Sequence, residues 1–393
     1  MELQGKKILL GVTGGVAAYK AAELTRQLIK QGAQVYVAMT EAATHFVGPV
    51  TFQALTGHNV YCKQWEHDVS NGMAHIDLTR MVDCILIAPA TANCIAKLAN
   101  GIADDLLSSL VLARDCPLLV APAMNKQMWQ AAPTQRNVAQ LRADGVTILG
   151  PGVGEQACGE IGAGRMLEPA EILEGVLSFF TPKLLAGKRV LMTAGPTFES
   201  IDAVRGITNL SSGRMGYALA LAAARAGASV TLVSGPVSLP TPAGVERIDV
   251  KSASDMHAAV MARATDANIF IGVAAVADYR VAEMAEHKLK KDEGGPPAIQ
   301  LIENPDILAE VAALPKPPFC VGFAAESRNL EEYAQKKRLK KKIPLIVGNL
   351  IQEGFGGEDN RVVLFDDHGV HPLAPASKSA LARQLIEHIA RSC

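Results

Sequence analysis

No charge of either sign dominates this sequence. Its 393 residues carry 38 Lys and Arg against 39 Asp and Glu, a formal net charge of -1. No field of one sign therefore draws the whole chain to nucleic acid or to an anionic membrane surface. Long hydrophobic runs are missing as well. No apolar stretch reaches bilayer-spanning length, and Met1–Lys7 leads into a strand without the apolar core of a signal peptide. Cys-x-x-Cys pairs are absent, and the seven cysteines are scattered at 62, 84, 94, 116, 158, 320 and 393. That pattern argues against a disulfide framework or a structural zinc and for a reducing, cytoplasmic setting. A P-loop, Gly-x-x-x-x-Gly-Lys-Ser/Thr, is also lacking.

What the chain has is one phrase written twice. Lys7-Ile8-Leu9-Leu10-Gly11-Val12-Thr13-Gly14-Gly15 stands near the start, and Arg189-Val190-Leu191-Met192-Thr193-Ala194-Gly195-Pro196-Thr197 stands mid-chain. Each is a basic residue, an apolar run and a Thr/Gly turn. Each leads into an Ala-rich amphipathic stretch and a second apolar run, Ala33–Ala38 and Ala228–Val233. Strand, glycine turn, helix and parallel strand recur, which predicts two α/β nucleotide-binding domains in one polypeptide. The length fits two domains of roughly 180–200 residues.

The first half predicts strands at Ile8–Val12, Gln34–Met39, Cys84–Ala88, Leu118–Ala121 and Thr147–Leu149, mostly continuous apolar runs suited to a parallel sheet covered on both faces. Helices are predicted at Ala17–Gln31, Ala92–Ala99, Met128–Asp144 and Pro169–Phe180, with a Gly-rich segment at Gly150–Gly164. Residues 1–181 are read as the first domain, 182–188 as a linker and 189–393 as the second domain. In the second half, strands are predicted at Val190–Thr193, Ser229–Ser234, Ile269–Val273, Phe319–Phe323, Leu345–Gly348 and Val362–Phe365. Helices are predicted at Tyr217–Ala226, Tyr333–Lys342 and Ser377–Ser392, and Ala282–Pro297 reads as a mobile loop.

Gly11-x-x-Gly14-Gly15 lies between a strand and a helix, where backbone N–H groups can meet a phosphate. Its spacing is not Gly-x-Gly-x-x-Gly, and no acidic residue ends the second strand, so a mononucleotide such as FMN fits better than NAD. Pro122-Ala123-Met124-Asn125-Lys126-Gln127-Met128 sits just past a strand end, where open α/β sheets place their sites; Asn125 can offer donors to a carboxylate or cap the next helix. Cys158 is flanked by glycines and polar residues, a poor place for a core cysteine and a good one for a reactive thiol on a lid.

The loop 11–20, His75, the run Ala88-Pro89-Ala90-Thr91-Ala92-Asn93, the Pro-x-Met-Asn-x-x-Met motif and the Cys158 segment together resemble the flavin-dependent cysteine decarboxylases over the whole first half. The resemblance implies a flavodoxin-like, FMN-binding domain that forms trimers with the site between subunits. It implies that Gly14, Gly15, Val16, Thr40, Pro89, Ala90, Thr91 and Met124 hold FMN, and that 4′-phosphopantothenoylcysteine is the substrate. Oxidation of the substrate thiol to a thioaldehyde supplies an electron sink, so CO₂ can leave as an enethiolate forms. In this scheme His75 is the base, Asn125 holds the carboxylate, and Cys158 protonates the enethiol as hydride returns.

The second half carries Thr208-Asn209-Leu210-Ser211-Ser212-Gly213-Arg214 before a helix, an Asp at a strand end in Gly272–Tyr279, and a lysine-rich loop with Lys288, Lys290 and Lys291. A carboxylate, several lysines and a loop suit a nucleoside triphosphate with Mg²⁺, although each lysine run alone reads as a solvated face. With Asn304-Pro305-Asp306 and Gly322-Phe323-Ala324-Ala325-Glu326, this half resembles phosphopantothenate–cysteine ligases with a Rossmann-like domain. Fused to the first half, it is similar to the bacterial bifunctional enzymes of coenzyme A synthesis. The resemblance implies activation of 4′-phosphopantothenate by CTP to an acyl-cytidylate, followed by attack of the cysteine amine. It implies that Asn209 contacts the acyl-cytidylate and that Gly272, Val273, Ala274, Asp278, Asn304, Pro305, Asp306, Ile307, Phe323, Lys337 and Lys341 line the CTP site. The same resemblance implies that Lys288 reaches the phosphates and that Asp278 holds Mg²⁺. Leu210 and Arg214 depart from the His and Lys of that family pattern. Trimers of the first half and dimers of the second imply a homododecamer. Two other readings stand beside it: a regulatory flavoprotein, opposed by the joint presence of His75, Asn125 and Cys158, and an NAD-dependent oxidoreductase, opposed by the glycine spacing.

Overall fold

The computed structural model describes residues 1–63, 74–289, 298–326, 328–350 and 359–393, with the backbone alone for residues 74, 75, 359 and 360. It divides into two units, Met1–Phe180 and Thr181–Cys393.

In the first unit the apolar runs become β1 (Lys7–Val12), β2 (Gln34–Met39), β3 (Val60–Tyr61), β4 (Cys84–Ala90), β5 (Leu118–Pro122) and β6 (Thr147–Ile148). They form one parallel sheet in the order β3-β2-β1-β4-β5-β6. Successive side chains of a strand point to opposite faces, and both faces of this sheet are covered. Ile8, Leu10 and Val12 pack under Leu24 and Leu28 of α1 (Tyr19–Lys30). Leu9 faces the other way, toward a layer that holds Ile95, Leu110 and Val138. Full burial of each such aliphatic side chain contributes about 1.5–3 kcal/mol. The remaining helices are α2 (Glu41–Thr44), α3 (Pro49–Thr56), α4 (Ala74–Met81), α5 (Ala92–Asn100), α6 (Leu106–Leu112), α7 (Lys126–Gln130), α8 (Ala132–Ala143) and α9 (Pro169–Phe180).

Two expectations are corrected here. The single helix expected over Met128–Asp144 is two helices, because Ala131 is extended at φ -59° and ψ 134°. Pro133 has no N–H to donate back along a helix and fits only a first turn, so the helix restarts at Ala132. The Gly-rich segment, for which no strand was expected, has regular structure. It is an antiparallel hairpin of β7 (Gly152–Glu155) and β8 (Ile161–Arg165), with Cys158 in its turn.

The second unit builds on β9 (Arg189–Ala194), followed by the small pair β10 (Phe198–Ser200) and β11 (Gly206–Thr208). Then come α10 (Arg214–Arg225), β12 (Ser229–Ser234), β13 (Val245–Asp249), α11 (Ala253–Ala264) and β14 (Ile269–Gly272). A hairpin of β15 (Tyr279–Val281) and β16 (Leu301–Glu303) flanks the expected loop; β15 and β16 precede α12 (Ile307–Ala312) and β17 (Phe319–Glu326). The unit ends with α13 (Leu330–Lys341), β18 (Leu345–Leu350), β19 (Asp359–Asn360), β20 (Val363–Asp366), β21 (Gly369–Pro372), β22 (Ala376–Ser377) and α14 (Lys378–Ser392). The main sheet runs β13-β12-β9-β14-β17-β18-β20-β21, parallel except for the two pairings beyond β18. Leu219 and Ala223 of α10 pack with Leu381 and Leu385 of α14 on one face. Met256, Val260 and Val311 cover the other. The expected helix Tyr217–Ala226 begins earlier, so Arg214 is its first residue.

In each sheet the first strand has later strands on both sides, β2 and β4 around β1, and β12 and β14 around β9. Chain order reverses there, and the carboxyl ends of the strands diverge into a crevice suited to a ligand.

Candidate active sites

In the first unit that crevice is edged by the ends of β1, β4 and β5. Gly14 is a packing glycine: a Cβ on it would lie 2.4 Å from the Ala42 Cβ. Gly15 has open space, since a Cβ would meet only Thr91 Cγ2 at 3.8 Å. Gly15 caps a short turn at Val16–Ala18 without a side chain, so nothing from the cap residue competes for the amides of that turn. Val16 is exposed, Thr40 caps α2, and Thr91 caps α5 through its hydroxyl. Thr13 links the ends of two strands: its hydroxyl donates to Pro89 O at 2.8 Å and accepts from the Thr91 amide at 3.0 Å. Pro89 and Ala90 are buried at the end of β4. This open glycine turn between two strand ends fits a phosphate-bearing mononucleotide.

Asn125 follows β5 and caps α7, its Oδ1 accepting from the Gln127 amide at 2.8 Å. The cap uses only the oxygen of the carboxamide, so its nitrogen is available to other partners. Nδ2 points to the hairpin turn, 3.6 Å from Cys158 Sγ and 2.6 Å from Glu160 Oε2. The thiol in turn donates to Glu160 Oε2 at 3.7 Å, and Gln127 Nε2 donates to Glu160 Oε1 at 3.2 Å. Gln156 straps the hairpin down: its Oε1 accepts from the Lys126 amide at 3.0 Å. The Met124 amide donates to Gly164 O at 2.9 Å. Asn125 donation, with help from Gln127 and the thiol, holds the Glu160 carboxyl below its usual range against the opposing effect of burial. His75 is in the first turn of α4, and its side chain lies outside the described residues.

The second unit contains a cavity of about 850 Å³ at the carboxyl ends of β9, β14 and β17. Twelve residues expected around the nucleotide reach it: Asn209, Gly272, Val273, Ala274, Asp278, Asn304, Pro305, Asp306, Ile307, Phe323, Lys337 and Lys341. Its walls are backbone held by side chains. Thr193 Oγ1 accepts from the Ala274 amide at 3.3 Å, and Thr197 Oγ1 from the Ala277 amide at 3.0 Å. Asn209 Nδ2 donates to Ala275 O at 2.9 Å, and Asn304 Nδ2 donates to Ala277 O at 2.8 Å. The opening of α10 faces the cavity from Gly213, which sits at φ 73° and gives no side-chain cap.

One ion pair stands among the cavity's charges. Lys341 Nζ lies 2.6 Å from both carboxylate oxygens of Asp306, and Asp306 caps α12. Burial opposes the Asp306 charge, but Lys341 and the Ala309 amide outweigh it, so the carboxyl stays below its usual range. Burial, then repulsion from Lys341, pushes Lys337 below the ordinary lysine value despite nearby carboxylates. Asp278 is exposed on the lining. Among the described residues no cluster of three His, Cys, Asp or Glu could by itself hold a metal. Mg²⁺ keeps most of its shell as water and phosphate oxygens, so a single exposed carboxylate such as Asp278 is chemically enough for it when a nucleotide is bound.

Lys288 does not join this group. It is exposed and off the cavity lining, on a stretch whose next residue, Leu289, donates its amide to buried Asp202 at 3.1 Å. Arg205 chelates the same carboxylate at 2.9 and 2.5 Å, so the described part of the expected mobile loop is anchored. Lys290, Lys291 and the Gly294–Pro297 run lie outside the described residues. Two residues on these sites have no motif signal. Glu160 meets Asn125 only through the hairpin, and Lys378 reaches the cavity as the first residue of α14, beside Arg214.

Residues 1–181 match the family described as Flavoprotein, and residues 185–392 match the DNA/pantothenate metabolism flavoprotein C-terminal domain. The chain is 51% identical over 392 residues to the coenzyme A biosynthesis bifunctional protein CoaBC of Vibrio cholerae, covering 98% of each chain. It is 49% identical over 396 residues to the protein of that name from Escherichia coli strain K12, covering 99% of this chain and 98% of that one. A crystal structure of the C-terminal domain of a coenzyme A biosynthesis bifunctional protein CoaBC is 39% identical, with a TM-score of 0.47. It covers 53% of this chain and 97% of that chain.

Proposed function

The chain belongs to the family of coenzyme A biosynthesis bifunctional proteins, and from that premise we propose that it makes 4′-phosphopantetheine in two steps. The second unit joins 4′-phosphopantothenate to cysteine with CTP. The first unit decarboxylates the product. The observation that carries the reading is the approach of Asn125 Nδ2 to Cys158 Sγ at 3.6 Å, a carboxylate donor beside a proton donor.

In the ligase step a carboxylate is a poor electrophile until one of its oxygens becomes part of a phosphate leaving group. The cavity supplies cations for that exchange. Lys337 and Lys341 stand on α13, Arg214 and Lys378 at the starts of two helices, and together they offset charge that develops on the phosphates. Asp278 would hold Mg²⁺, which would supply positive charge at the phosphates. Lys288 contributes only if its loop swings from the Asp202 anchor. In the decarboxylase step FMN, when bound, supplies the oxidising and reducing equivalents at the substrate thiol. The open turn at Gly14–Val16 would receive its phosphate, and Thr40, Pro89, Ala90, Thr91 and Met124 would edge its site. His75 takes the thiol proton. Asn125 fixes the substrate carboxylate, so the bond to CO₂ is held in one orientation. Cys158 delivers a proton to the enethiol carbon. A homododecamer of trimers and dimers completes the reading.

The test supplies purified protein with 4′-phosphopantothenate, cysteine, CTP and Mg²⁺ and follows pyrophosphate and CO₂ together. Release of both supports the reading. Pyrophosphate alone would make the first unit a binding flavoprotein, and neither product from folded yellow protein would sink the proposal.

Two expectations follow for the cavity. Lys378→Ala is expected to raise the KM for CTP roughly tenfold, the loss of about 1.4 kcal/mol of charge-assisted contact. Decarboxylation of supplied 4′-phosphopantothenoylcysteine stays unchanged; an unaltered KM for CTP would remove Lys378 from the phosphate site. Lys337, with its lowered proton affinity, loses its charge at a lower pH than a solvent-exposed lysine. CTP binding is therefore expected to weaken early on the alkaline limb, and Lys337→Arg, which stays charged, moves that limb to higher pH. Identical alkaline limbs in the two proteins would refute this.

A further inference from the structure

The carboxamide of Asn125 has two N–H donors on Nδ2, and both are spent inside the protein, one toward Cys158 Sγ and one on Glu160 Oε2. The 2.6 Å contact to Glu160 is the shorter of the two, and a second donor, Gln127 Nε2, steadies the other carboxylate oxygen at 3.2 Å. A substrate carboxylate arriving at Asn125 meets a carboxylate already there. Two ionised carboxylates do not share one donor without a large electrostatic cost. We propose that Glu160 is a specificity-determining residue: its carboxylate holds the place of the substrate carboxylate on Asn125 and yields it only to a ligand that carries a carboxylate of its own.

This inference rests on the decarboxylase reading of the first unit and adds a selection step to it. Glu160 stands two residues beyond Cys158 in the same hairpin turn, and the thiol donates to the same Oε2. Displacement of Glu160 therefore also releases the sulfur from its acceptor, so proton delivery is coupled to occupation of Asn125 by substrate. A product that has lost CO₂ cannot hold Asn125 against Glu160. The hairpin regains its contact, and the product loses its purchase on the site.

The test compares two ligands that cannot be oxidised at sulfur: the serine analogue of the substrate, 4′-phosphopantothenoylserine, and 4′-phosphopantothenoyl-ethanolamine, which lacks the carboxylate. Each is titrated into FMN-loaded full-length protein and followed by the flavin absorbance, which reports the first unit alone. In Glu160→Gln and Glu160→Ala the serine ligand is expected to bind roughly three- to fivefold tighter, the scale of an exposed charge contact. The ethanolamine ligand is expected to bind as in the wild type. Steady-state kinetics should show a lower KM for 4′-phosphopantothenoylcysteine. Unchanged or weaker serine-ligand binding, or an equal shift for both ligands, would overturn the inference while leaving the decarboxylase reading intact. Wild-type protein that binds neither ligand and releases no CO₂ would overturn both.

Discussion

Cys158→Ser is expected to stop CO₂ release and leave pyrophosphate release at the wild-type rate. The sulfur is exposed in a hairpin turn and lies in no core cluster, so the exchange costs little stability, within about 0.5 kcal/mol. The chemical loss is large, because an alcohol is a far weaker acid than a thiol and the enethiol must still receive a proton. Removing a general acid costs roughly 10²- to 10⁴-fold in rate. The two units have separate hydrophobic cores, which is why the ligase step is expected to be untouched. The coupled assay of CO₂ and pyrophosphate decides it. Undiminished CO₂ release would remove Cys158 from the mechanism, and parallel loss of both products would make the defect one of folding.

Gly235→Ala has an equally large expected effect on the other activity. A Cβ at this position would lie 1.8 Å from the carbonyl oxygen of Pro196 and 2.8 Å from its carbon. These are backbone atoms, and no side chain can rotate to make room. The Pro196–Thr197 turn must move, and that turn holds the cavity wall: Thr197 N donates to Ala275 O at 3.2 Å, and Ala275 N donates to Gly195 O at 2.9 Å. Asn209 hangs from the same Ala275 carbonyl. Overpacking of this kind costs about 1–3 kcal/mol or more. A displacement near 1 Å in a positioned site lowers rate by about 10²-fold. Pyrophosphate release is expected to fall by at least that factor, with a lower melting temperature for the second unit. Decarboxylation of supplied 4′-phosphopantothenoylcysteine should persist. Wild-type ligase activity in this variant would show that the turn yields freely.

Much of the architecture is legible before any coordinates are known, and the reason is burial. Strands such as β1, β4, β9 and β18 are covered on both faces, so their residues read as unbroken apolar runs. Where burial stops, legibility stops. β13 lies at a sheet edge, and its Val-Glu-Arg-Ile-Asp sequence carries charges that read as loop. The α7–α8 break turns on the extended backbone of Ala131, and Pro133 two residues on is its only local mark in the sequence.

The sites divide in the same way. Residues clustered in short motifs, such as Asn304–Ile307, can be picked out together and do line one cavity. Glu160 and Lys378 gain meaning only from tertiary approach. Asn125 and Glu160 are 35 positions apart, and nothing local distinguishes that glutamate from a solvated one. The Lys288 loop shows the converse: the lysine run alone reads as a solvated face, only the family resemblance assigns it to phosphates, and the Asp202–Arg205 anchor keeps its described part away from the cavity.

The packing of α14 on α10 also sets a timetable for synthesis. The helix that opens onto the cavity is made early in the second unit, whereas its packing partner, with Lys378 at the tip, follows β22. A ribosome adding roughly 5–20 residues per second thus exposes the Ala-rich face of α10 for roughly 8–30 s before its cover emerges. During that interval the first unit can already be folded, while the second has neither its full core nor its complete set of cations. Chains interrupted before Lys378 would therefore leave the ribosome with one finished catalyst and one sticky, inactive fragment, a natural substrate for chaperones and proteases.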